Sequence, residues 1–276
     1  MTRPGGRELA DLAVRVAVAA GQFIRDRRPD DLAVAATKTS AVDVVTHMDT
    51  AAERLIIEQV MAARPHDGVL GEEGGLLPGD SGLTWVIDPI DATVNYLYGV
   101  GTYAVSVAVV DGEPDPQTWT PMAGCVYDPL GDVRYHAMAG AGAFADRRAL
   151  PGPNDVDLAH ALVATGFGYL AARRRKQAQV LTGLLPRVRD IRRLGCAALD
   201  LCLVADGRVD AYYERGLNPW DHAASGLVAT ESGVLVTGPH GLLPGHALLV
   251  AAGPRLHPQL LGLLDGLGAY NDDCAT

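Results

Sequence analysis

Five short apolar segments follow one another in the first half of the chain, and no long helical pattern separates them. Between residues 68 and 138 they are GVLGEE, TWVIDP, TYAVSVAVV, AGCVYDP and DVRYHAM. Short apolar runs that are rich in β-branched residues and bounded by turn residues are typical of strands. Strands that no helix separates pair most simply with their neighbours along the chain. The first half is therefore predicted to form a largely antiparallel sheet.

The second half follows the loop PGPNDVD (151–157) and alternates strand and helix patterns. Helices are predicted over 8–27, 49–63, 173–185, 218–231 and 256–267, with another in AALDLCLVADG. Strands are predicted in ALVATGF, VDAYYE and HALLVAAG. Layered helices and sheets of this kind indicate an α/β chain with a single domain over 1–276. Its two packed halves are expected at about 1–150 and 151–276.

Composition limits the classes of function. The chain has 23 Lys and Arg residues against 33 Asp and Glu residues, which gives a net charge of −10. A basic face supplies most of the affinity for nucleic acid, so no nucleic-acid partner is expected. The cysteines show no CxxC pair and no zinc pattern, and they are interpreted as buried thiols in a reducing cytoplasm. They are Cys125, Cys196, Cys202 and Cys274.

The N-terminal segment is rich in alanine and valine but carries Arg15 and Arg25. Its uncharged centre is too short to span a bilayer, and no small-residue cleavage site follows it. We interpret it as an amphipathic helix of the fold, and no membrane partner is expected.

Two acids stand at the end of an apolar run in WVIDPIDATVNYLYG (85–99). Pro89 is expected to turn the chain after Asp88, so that Asp91 returns to the same side. The following Ala-Thr-Val-Asn can begin a helix whose free amides would bind an anion. Two close carboxylates repel each other unless one is protonated or a cation lies between them. Hard oxygen ligands of this kind suit Mg²⁺ beside a phosphate.

Further acids lie at the predicted ends of elements. Glu72 and Glu73 lie in GEEGG, Asp49 ends the run VTHMD, and Asp221 follows Asn218 and Pro219 at a helix start. An acid at a helix N-terminus is most often only a cap. As a set, however, these acids lie where functional sites are built.

In this order, GEEGG, WVIDPIDATVNY and PWDHAAS resemble the motifs of the inositol monophosphatase family, a group of lithium-sensitive, magnesium-dependent phosphatases related to fructose-1,6-bisphosphatases. The resemblance covers nearly the whole chain and includes RRLGCAALDLCLVADGRVDAYYE. It implies a five-layer αβαβα sandwich, a homodimer, and hydrolysis of phosphate monoesters by in-line attack of a metal-activated water.

The resemblance also assigns roles to residues. Mg²⁺ ligands are Glu72, Asp88, the Ile90 carbonyl, Asp91 and Asp221, for two or three ions. Thr93 and Asp49 activate the water, with Glu72 as a further catalytic residue, and the amides of Ala92 and Thr93 hold the phosphate. Substrate contacts are Glu214, Gly195, Cys196 and Ala197, and Lys38 lies near the metals.

The substrate implied is an inositol phosphate, because Glu214 matches a glutamate that binds inositol hydroxyls and Val-Asn-Tyr follows Thr93. Ala92 departs from the glycine that is usual in the family. It keeps the amide but adds a methyl group and disfavours a positive φ. His47 is interpreted as a loop-edge histidine, because Mg²⁺ prefers oxygen ligands.

Two alternatives remain open. Within phosphatases, the substrate is fructose 1,6-bisphosphate, histidinol phosphate or NADP. In another class, the chain is a partner of the transcription machinery, with RRRK (173–176) and RVRDIRR (187–193) as contact surfaces. The simpler interpretation of both stretches is a solvated helix face.

Overall fold

The computed structural model describes residues 5–38 and 44–271. In the first half of the chain, the helices are α1 (Gly6–Asp26), α2 (His47–Ala63) and α3 (Thr93–Tyr98). The strands are β1 (Val34–Thr37), β2 (Val44–Thr46), β3 (Gly68–Gly71), β4 (Gly75–Leu77), β5 (Leu83–Asp91), β6 (Ala104–Asp111), β7 (Thr120–Asp128), β8 (Val133–Met138), β9 (Ala143–Ala145) and β10 (Arg148–Ala149).

In the second half, the helices are α4 (Ala171–Leu184), α5 (Ala197–Ala205), α6 (Pro219–Glu231) and α7 (His257–Gly266). The strands are β11 (Leu162–Thr165), β12 (Asp190–Arg192), β13 (Ala211–Glu214), β14 (Leu235–Thr237) and β15 (Leu249–Ala252). The loop 151–157 lies between the last strand of the first half and the first strand of the second half.

Two sheets organise the molecule. The large sheet has the order β10-β9-β8-β7-β6-β5-β3-β4 and is antiparallel except where β3 pairs with β5. The small sheet has the order β12-β11-β13-β15-β14 and is mixed, while β1 and β2 form a separate ribbon. The prediction of a largely antiparallel first sheet is therefore confirmed.

Helices cover both faces of both sheets. Helices α1 and α2 pack on one face of the large sheet, while α5 and α6 fill the space between the sheets. Helices α4 and α7 pack on the outer face of the small sheet. Along β13 the burial alternates as a strand requires: Ala211 and Tyr213 face α4 and α7, and Tyr212 faces α5 and α6. These five layers confirm the predicted αβαβα sandwich.

The start of α2 differs from the prediction, which began this helix at Asp49. Helix α2 begins at His47, and Thr46 and Asp49 form a reciprocal capping box. Asp49 is fully buried, whereas His47 is exposed. Asp49 is therefore a helix cap that points into the protein and not the end of a strand.

The course of the chain at Pro89 also differs from the prediction. Pro89 does not end the strand, because β5 continues to Asp91. Asp88 pairs with Ser106 and Asp91 pairs with Ala104, so three steps on β5 face two on β6. Proline has no amide to donate to the ladder, and a bulge is where a strand tolerates it. The extra residue restores the alternation, so that Asp88 and Asp91 project to the same side.

The stretch 187–193 is not a helix face. Residues 190–192 form the edge strand β12, which pairs in parallel with β11. The stretch 173–176, by contrast, lies on α4 as expected. The three described cysteines are free and buried, and Cys274 lies outside the described residues. Among the described residues, no helix has the combination of length and apolarity that crossing a membrane requires.

Candidate active site

A cavity of about 480 Å³ lies where the ends of β5, β11 and β13 meet the first turn of α6. Most of the residues singled out from the sequence line it: Lys38, Glu72, Asp88, Ile90, Asp91, Ala92, Thr93, Gly195, Ala197, Glu214 and Asp221. Two predicted residues, Asp49 and Cys196, are not part of the lining. Both contact residues that are part of it, and both are completely buried.

Four carboxylates form one wall of the cavity, which we call the acid wall: Glu72, Asp88, Asp91 and Asp221. Burial raises the pKa of Asp88 well above its usual range, and the charges of the other three raise it further. Burial raises the pKa of Asp221 in the same way, followed by the charges of Asp91 and Glu72. These carboxylates therefore destabilise one another when ionised, and a cation between them would remove the conflict.

Backbone amides hold the aspartates of the acid wall. The amide of Ile90 donates to Oδ1 of Asp88 at 3.0 Å. The amide of Ala198 donates to Oδ2 of Asp91 at 2.6 Å, and the amide of Asn218 donates to Oδ2 of Asp221 at 2.6 Å. Asn218 and Asp221 together form the capping box of α6. The carboxylates are thus oriented by the chain itself.

The donor chemistry of the acid wall fits Mg²⁺. The side chains offer hard carboxylate oxygens, and Ile90 lines the same cavity. Over residues 5–38 and 44–271, no three His, Cys, Asp or Glu side chains are drawn together closely enough to hold an ion as they stand.

Lys38 supplies positive charge at the edge of the acid wall. Its Nζ lies 2.8 Å from Oε1 of Glu72 and 2.7 Å from Oε1 of Glu73. The pKa of Glu72 is raised by burial to about 7, although Lys38 opposes the rise. The lysine therefore neutralises the outer carboxylate of the group, while Asp88 and Asp221 have no cationic side chain among the main causes of their pKa shifts.

Thr93 and the buried Asp49 form a hydrogen-bonded pair. Oγ1 of Thr93 lies 2.9 Å from Oδ1 of Asp49 and 3.1 Å from the Ile90 carbonyl. The other oxygen of Asp49 accepts from the amide of Thr46 at 2.7 Å. The Thr93 hydroxyl thus has acceptors for its own proton, which leaves its lone pairs for a proton from a molecule in the cavity.

Ala92 precedes α3 in the left-handed conformation, with φ 78° and ψ 49°. This conformation costs a non-glycine residue about 1–2 kcal/mol. Ala92 is the N-cap of α3 and adopts the positive φ that alanine disfavours. The strain lies beside the acid wall, where the amides of residues 92 and 93 border the cavity.

Glu214 lies at the end of β13 and lines the cavity together with the acid wall and Arg193. The hydroxyl of Tyr212 donates to its Oε2 at 2.6 Å. Burial raises the pKa of Glu214 to about 7; the charge of Asp91 contributes to the rise and that of Arg193 opposes it. Beside it, Gly195 and Ala197 line the cavity, while the Cys196 thiol lies 3.1 Å from Oδ2 of Asp91.

Sequence reasoning missed three cationic or polar side chains in the cavity: Arg173, Arg193 and His246. The two arginines belong to the stretches that were assigned to a possible partner surface. The sequence did indicate that Arg193 lies near the site, because it comes two residues before Gly195, which was assigned as a substrate contact. A count of charges alone does not tell which arginine of each stretch faces inward.

The fold and the acid-lined cavity define a layered α/β protein of the phosphatase type. The profile of the inositol monophosphatase family matches residues 6–268, and the chain belongs to this family.

The relatives carry two kinds of name. The inositol-1-monophosphatase SuhB of Mycobacterium tuberculosis is 42% identical, over 96% of each chain. The Nus factor SuhB of Pasteurella multocida is 39% identical, over 92% of this chain and 94% of its own. The solved structure of Mycobacterium tuberculosis SuhB superposes with a TM-score of 0.81 at 38% identity, covering 98% of this chain and all of the other.

Proposed function

We propose that the chain is a magnesium-dependent phosphate-monoester hydrolase whose substrate is inositol 1-phosphate. The observation that carries the proposal is the acid wall, where four carboxylates from three parts of the chain face one cavity. Buried carboxylates that raise one another's pKa are costly to the fold, and apolar residues of similar volume often pack at less cost. Bound Mg²⁺ would neutralise them and polarise the phosphoryl group of the ester.

The residues of the chain supply the remaining functions. Thr93 accepts a proton from the attacking water and passes its own hydroxyl proton to Asp49, which also fixes the orientation of that hydroxyl. The amides of Ala92 and Thr93 donate to the phosphate oxygens at the start of α3. Gly195, Ala197 and Glu214 are placed to contact the leaving group, and Cys196 acts by holding Asp91.

Glu214 favours a polyol as the leaving group. It lies beyond the acid wall and accepts from Tyr212 through one oxygen, which leaves the other for a substrate hydroxyl. The relative from Mycobacterium tuberculosis is named an inositol-1-monophosphatase, which supports the same substrate. Inhibition by Li⁺ and a homodimer are expectations from the family.

The test is phosphate release from inositol 1-phosphate, fructose 1,6-bisphosphate, histidinol phosphate and NADP, each with Mg²⁺, with EDTA, and with Mg²⁺ plus Li⁺. Fastest release from inositol 1-phosphate, lost in EDTA and inhibited by Li⁺, is the expected result. Preference for another ester would keep the metal chemistry and reject the substrate. Undiminished release in EDTA would reject the role of the acid wall.

A second candidate is a role as a partner of the transcription machinery, since one relative is named a Nus factor. The exposed side chains of Arg174, Arg175 and Arg192 are available for such contacts. The two roles can be distinguished by expressing the parent or the Asp88→Asn variant in a strain that lacks the gene and measuring growth. If the Asp88→Asn variant restores growth as well as the parent does, the required role is not catalysis; if only the parent restores growth, it is.

A further inference from the structure

We propose that Glu53 is a positioning residue for Mg²⁺ binding, because it holds the turn that carries Glu72 in place beside the acid wall. The proposal rests on the phosphatase function proposed above and adds a residue to its site. Glu53 does not line the cavity, so it acts through the backbone of residues 72–74 and not as a ligand. Helix α2 thereby determines where one carboxylate of the acid wall lies.

Glu53 is buried in α2, with 4% of its surface exposed. Glutamate is almost never fully buried unless its carboxylate has partners. Oε2 of Glu53 accepts from the amide of Glu73 at 2.9 Å, and the amide of Gly74 also donates to this carboxylate. Hydrogen bonds to an ionised acceptor are stronger than those between neutral groups. Two consecutive amides of the turn are therefore tied to one buried side chain of α2.

The same contact explains two glycines of GEEGG. A methyl group on Gly71 would collide with Oε2 of Glu53, and one on Gly74 would lie 2.8 Å from Oε1. Neither of these glycines has a positive φ, in contrast to Gly75 with a φ of 71°. Glycine at 71 and 74 is therefore favoured by the closeness of the carboxylate and not by the backbone conformation. The backbone of the turn lies directly against Glu53.

Sheet pairing alone does not fix the position of Glu72. Strands β3 and β5 are parallel, and Gly71 pairs with Ile87, the residue before Asp88. This register brings the end of β3 beside the acid wall. Strand β3 ends at Gly71, however, so Glu72 is the first residue beyond it. The hydrogen bonds from the next two amides to Glu53 supply the constraint that the strand no longer provides.

The same face of α2 also holds Thr93. Asp49 and Glu53 are four residues apart, and side chains at this spacing are neighbours on one helix face, with Cβ atoms about 6 Å apart. Oδ1 of Asp49 lies 2.9 Å from Oγ1 of Thr93. The helix is anchored to the core by Ile56, which is fully buried. One helix therefore sets the proton acceptor Thr93 relative to the metal ligand Glu72, although the two residues follow different strands.

The tie to Glu53 opposes the repulsion within the acid wall. The charge of Glu72 is among the causes that raise the pKa of Asp88, so the two carboxylates favour a larger separation. Displacement of Glu72 would require the turn to move, and the turn is bonded to α2. A ligand that is held in place before binding loses less conformational entropy when the ion arrives. Loss of Glu53 should therefore weaken the binding of Mg²⁺.

Magnesium affinity, measured by calorimetry on the full chain without any ester, tests the proposal. Glu53→Gln keeps the length of the side chain but replaces one acceptor oxygen with an NH₂ group, which cannot accept from a backbone amide. The dissociation constant for Mg²⁺ should rise about tenfold or more, as is typical when a residue that orients a metal ligand is replaced. In turnover, KM for Mg²⁺ should rise by a similar factor, while kcat at saturating Mg²⁺ should change little. The matched control Glu58→Gln removes the same charge from an exposed position of α2 and should leave the affinity unchanged.

Gly74→Ala provides a second test in which Glu53 is intact. Its methyl group would meet Oε1 of Glu53, so this variant should also weaken Mg²⁺ binding. In a Glu53→Ala background the collision is removed, and the same change should have no further effect, as expected for two residues in direct contact. Additive losses in this cycle would contradict the proposed contact.

Unchanged Mg²⁺ affinity in Glu53→Gln overturns the proposal even if the variant is less stable in urea, because Glu53 would then have a purely structural role. Equal losses in Glu58→Gln also overturn it, since they would indicate an effect of net charge. If Glu53→Gln does not fold, unchanged affinity in Gly74→Ala overturns it instead. A parent that binds Mg²⁺ with the expected losses in the variants but hydrolyses no ester rejects the phosphatase proposal alone. A parent that binds no Mg²⁺ overturns both.

Discussion

The two ends of the cavity carry side chains of opposite charge. At the acid wall, Asp88 is buried to 1% exposure among carboxylates that raise its pKa, and positive charge is needed there. At the opposite end, Arg173 and Arg193 line the cavity, and neither has a carboxylate partner among the described residues. A single cavity of about 480 Å³ therefore has an acidic end and a basic end.

This separation predicts where function and instability are concentrated. Catalysis and the electrostatic cost of burial should lie at the acid wall and at its neighbours Thr93, Glu214 and Ala92. Four substitutions test this expectation, beginning with the largest expected effect.

Replacing Asp88 with asparagine should have opposite effects on activity and stability. Activity should fall about 10³-fold or more, because several kcal/mol of charge stabilisation depend on the metal. In EDTA the variant should be more stable than the parent by about 1–3 kcal/mol, because a buried, repelled charge is removed. Phosphate release and urea unfolding measure the two effects. A variant that is less stable than the parent in EDTA would show that the carboxylates of the acid wall do not destabilise one another.

Replacing Thr93 with alanine should lower kcat about 10²-fold or more, which is typical for loss of a positioned proton acceptor. The matched control Thr93→Ser retains the hydroxyl beside Asp49 and should retain most of the activity. Initial rates at saturating Mg²⁺ are the measurement. Equal losses in both variants would mean that the methyl group matters and not the hydroxyl, and would move the reacting centre away from this pair.

Replacing Glu214 with glutamine tests the residue between the two ends. Its pKa in the folded protein is about 7, above the ordinary value of 4.5. The folded state therefore binds its proton more tightly, and the parent loses stability as the pH rises from about 4.5 to 7. Glu214→Gln should lack this loss. Its free energy of unfolding should therefore differ little from that of the parent at pH 4 and exceed it by up to about 3 kcal/mol at pH 8. Urea unfolding at these pH values in EDTA is the measurement; an advantage independent of pH would contradict it.

Replacing Ala92 with glycine should have the smallest effect. Glycine adopts the left-handed conformation without the steric cost, so the free energy of unfolding should rise by about 1 kcal/mol. The same change at Ala178, exposed in the middle of α4, should lower it by about 1 kcal/mol. Thermal unfolding of the two variants gives the comparison. A decrease in both would mean that the methyl group of Ala92 packs usefully.

The acids could be found from the sequence because they lie in short motifs at the ends of apolar runs. Their geometry could not be found in the same way. Asp88 and Asp91 face one side because of a bulge at Pro89, and a bulge is visible only from the pairing of β5 with β6. The sequence correctly predicted that Asp88 and Asp91 lie on the same side, but for the wrong reason. It predicted a turn at Pro89, where the strand in fact continues.

The basic end of the cavity was harder to predict, because its residues are brought together by long-range packing. Arg173 reaches the cavity only because α4 is joined to the loop after β11 through Gln177. Arg193 reaches it because β12 is an edge strand, where a helix face was the simpler interpretation. Both arginines belong to runs of like charge, and a run of like charge does not show which member points inward. The family and the fold class were nevertheless predicted from motifs and confirmed.

The backbone amides that hold the aspartates also bear on ion selectivity. Asp88, Asp91 and Asp221 each have one oxygen engaged by an amide. An oxygen that already accepts from an amide is less available to an ion, so chelation through both oxygens of one carboxylate is disfavoured. Calcium fills its larger coordination shell with bidentate carboxylates, whereas magnesium accepts single oxygens in an octahedron completed by water. These three hydrogen bonds, which orient the aspartates within the fold, thus favour magnesium over calcium.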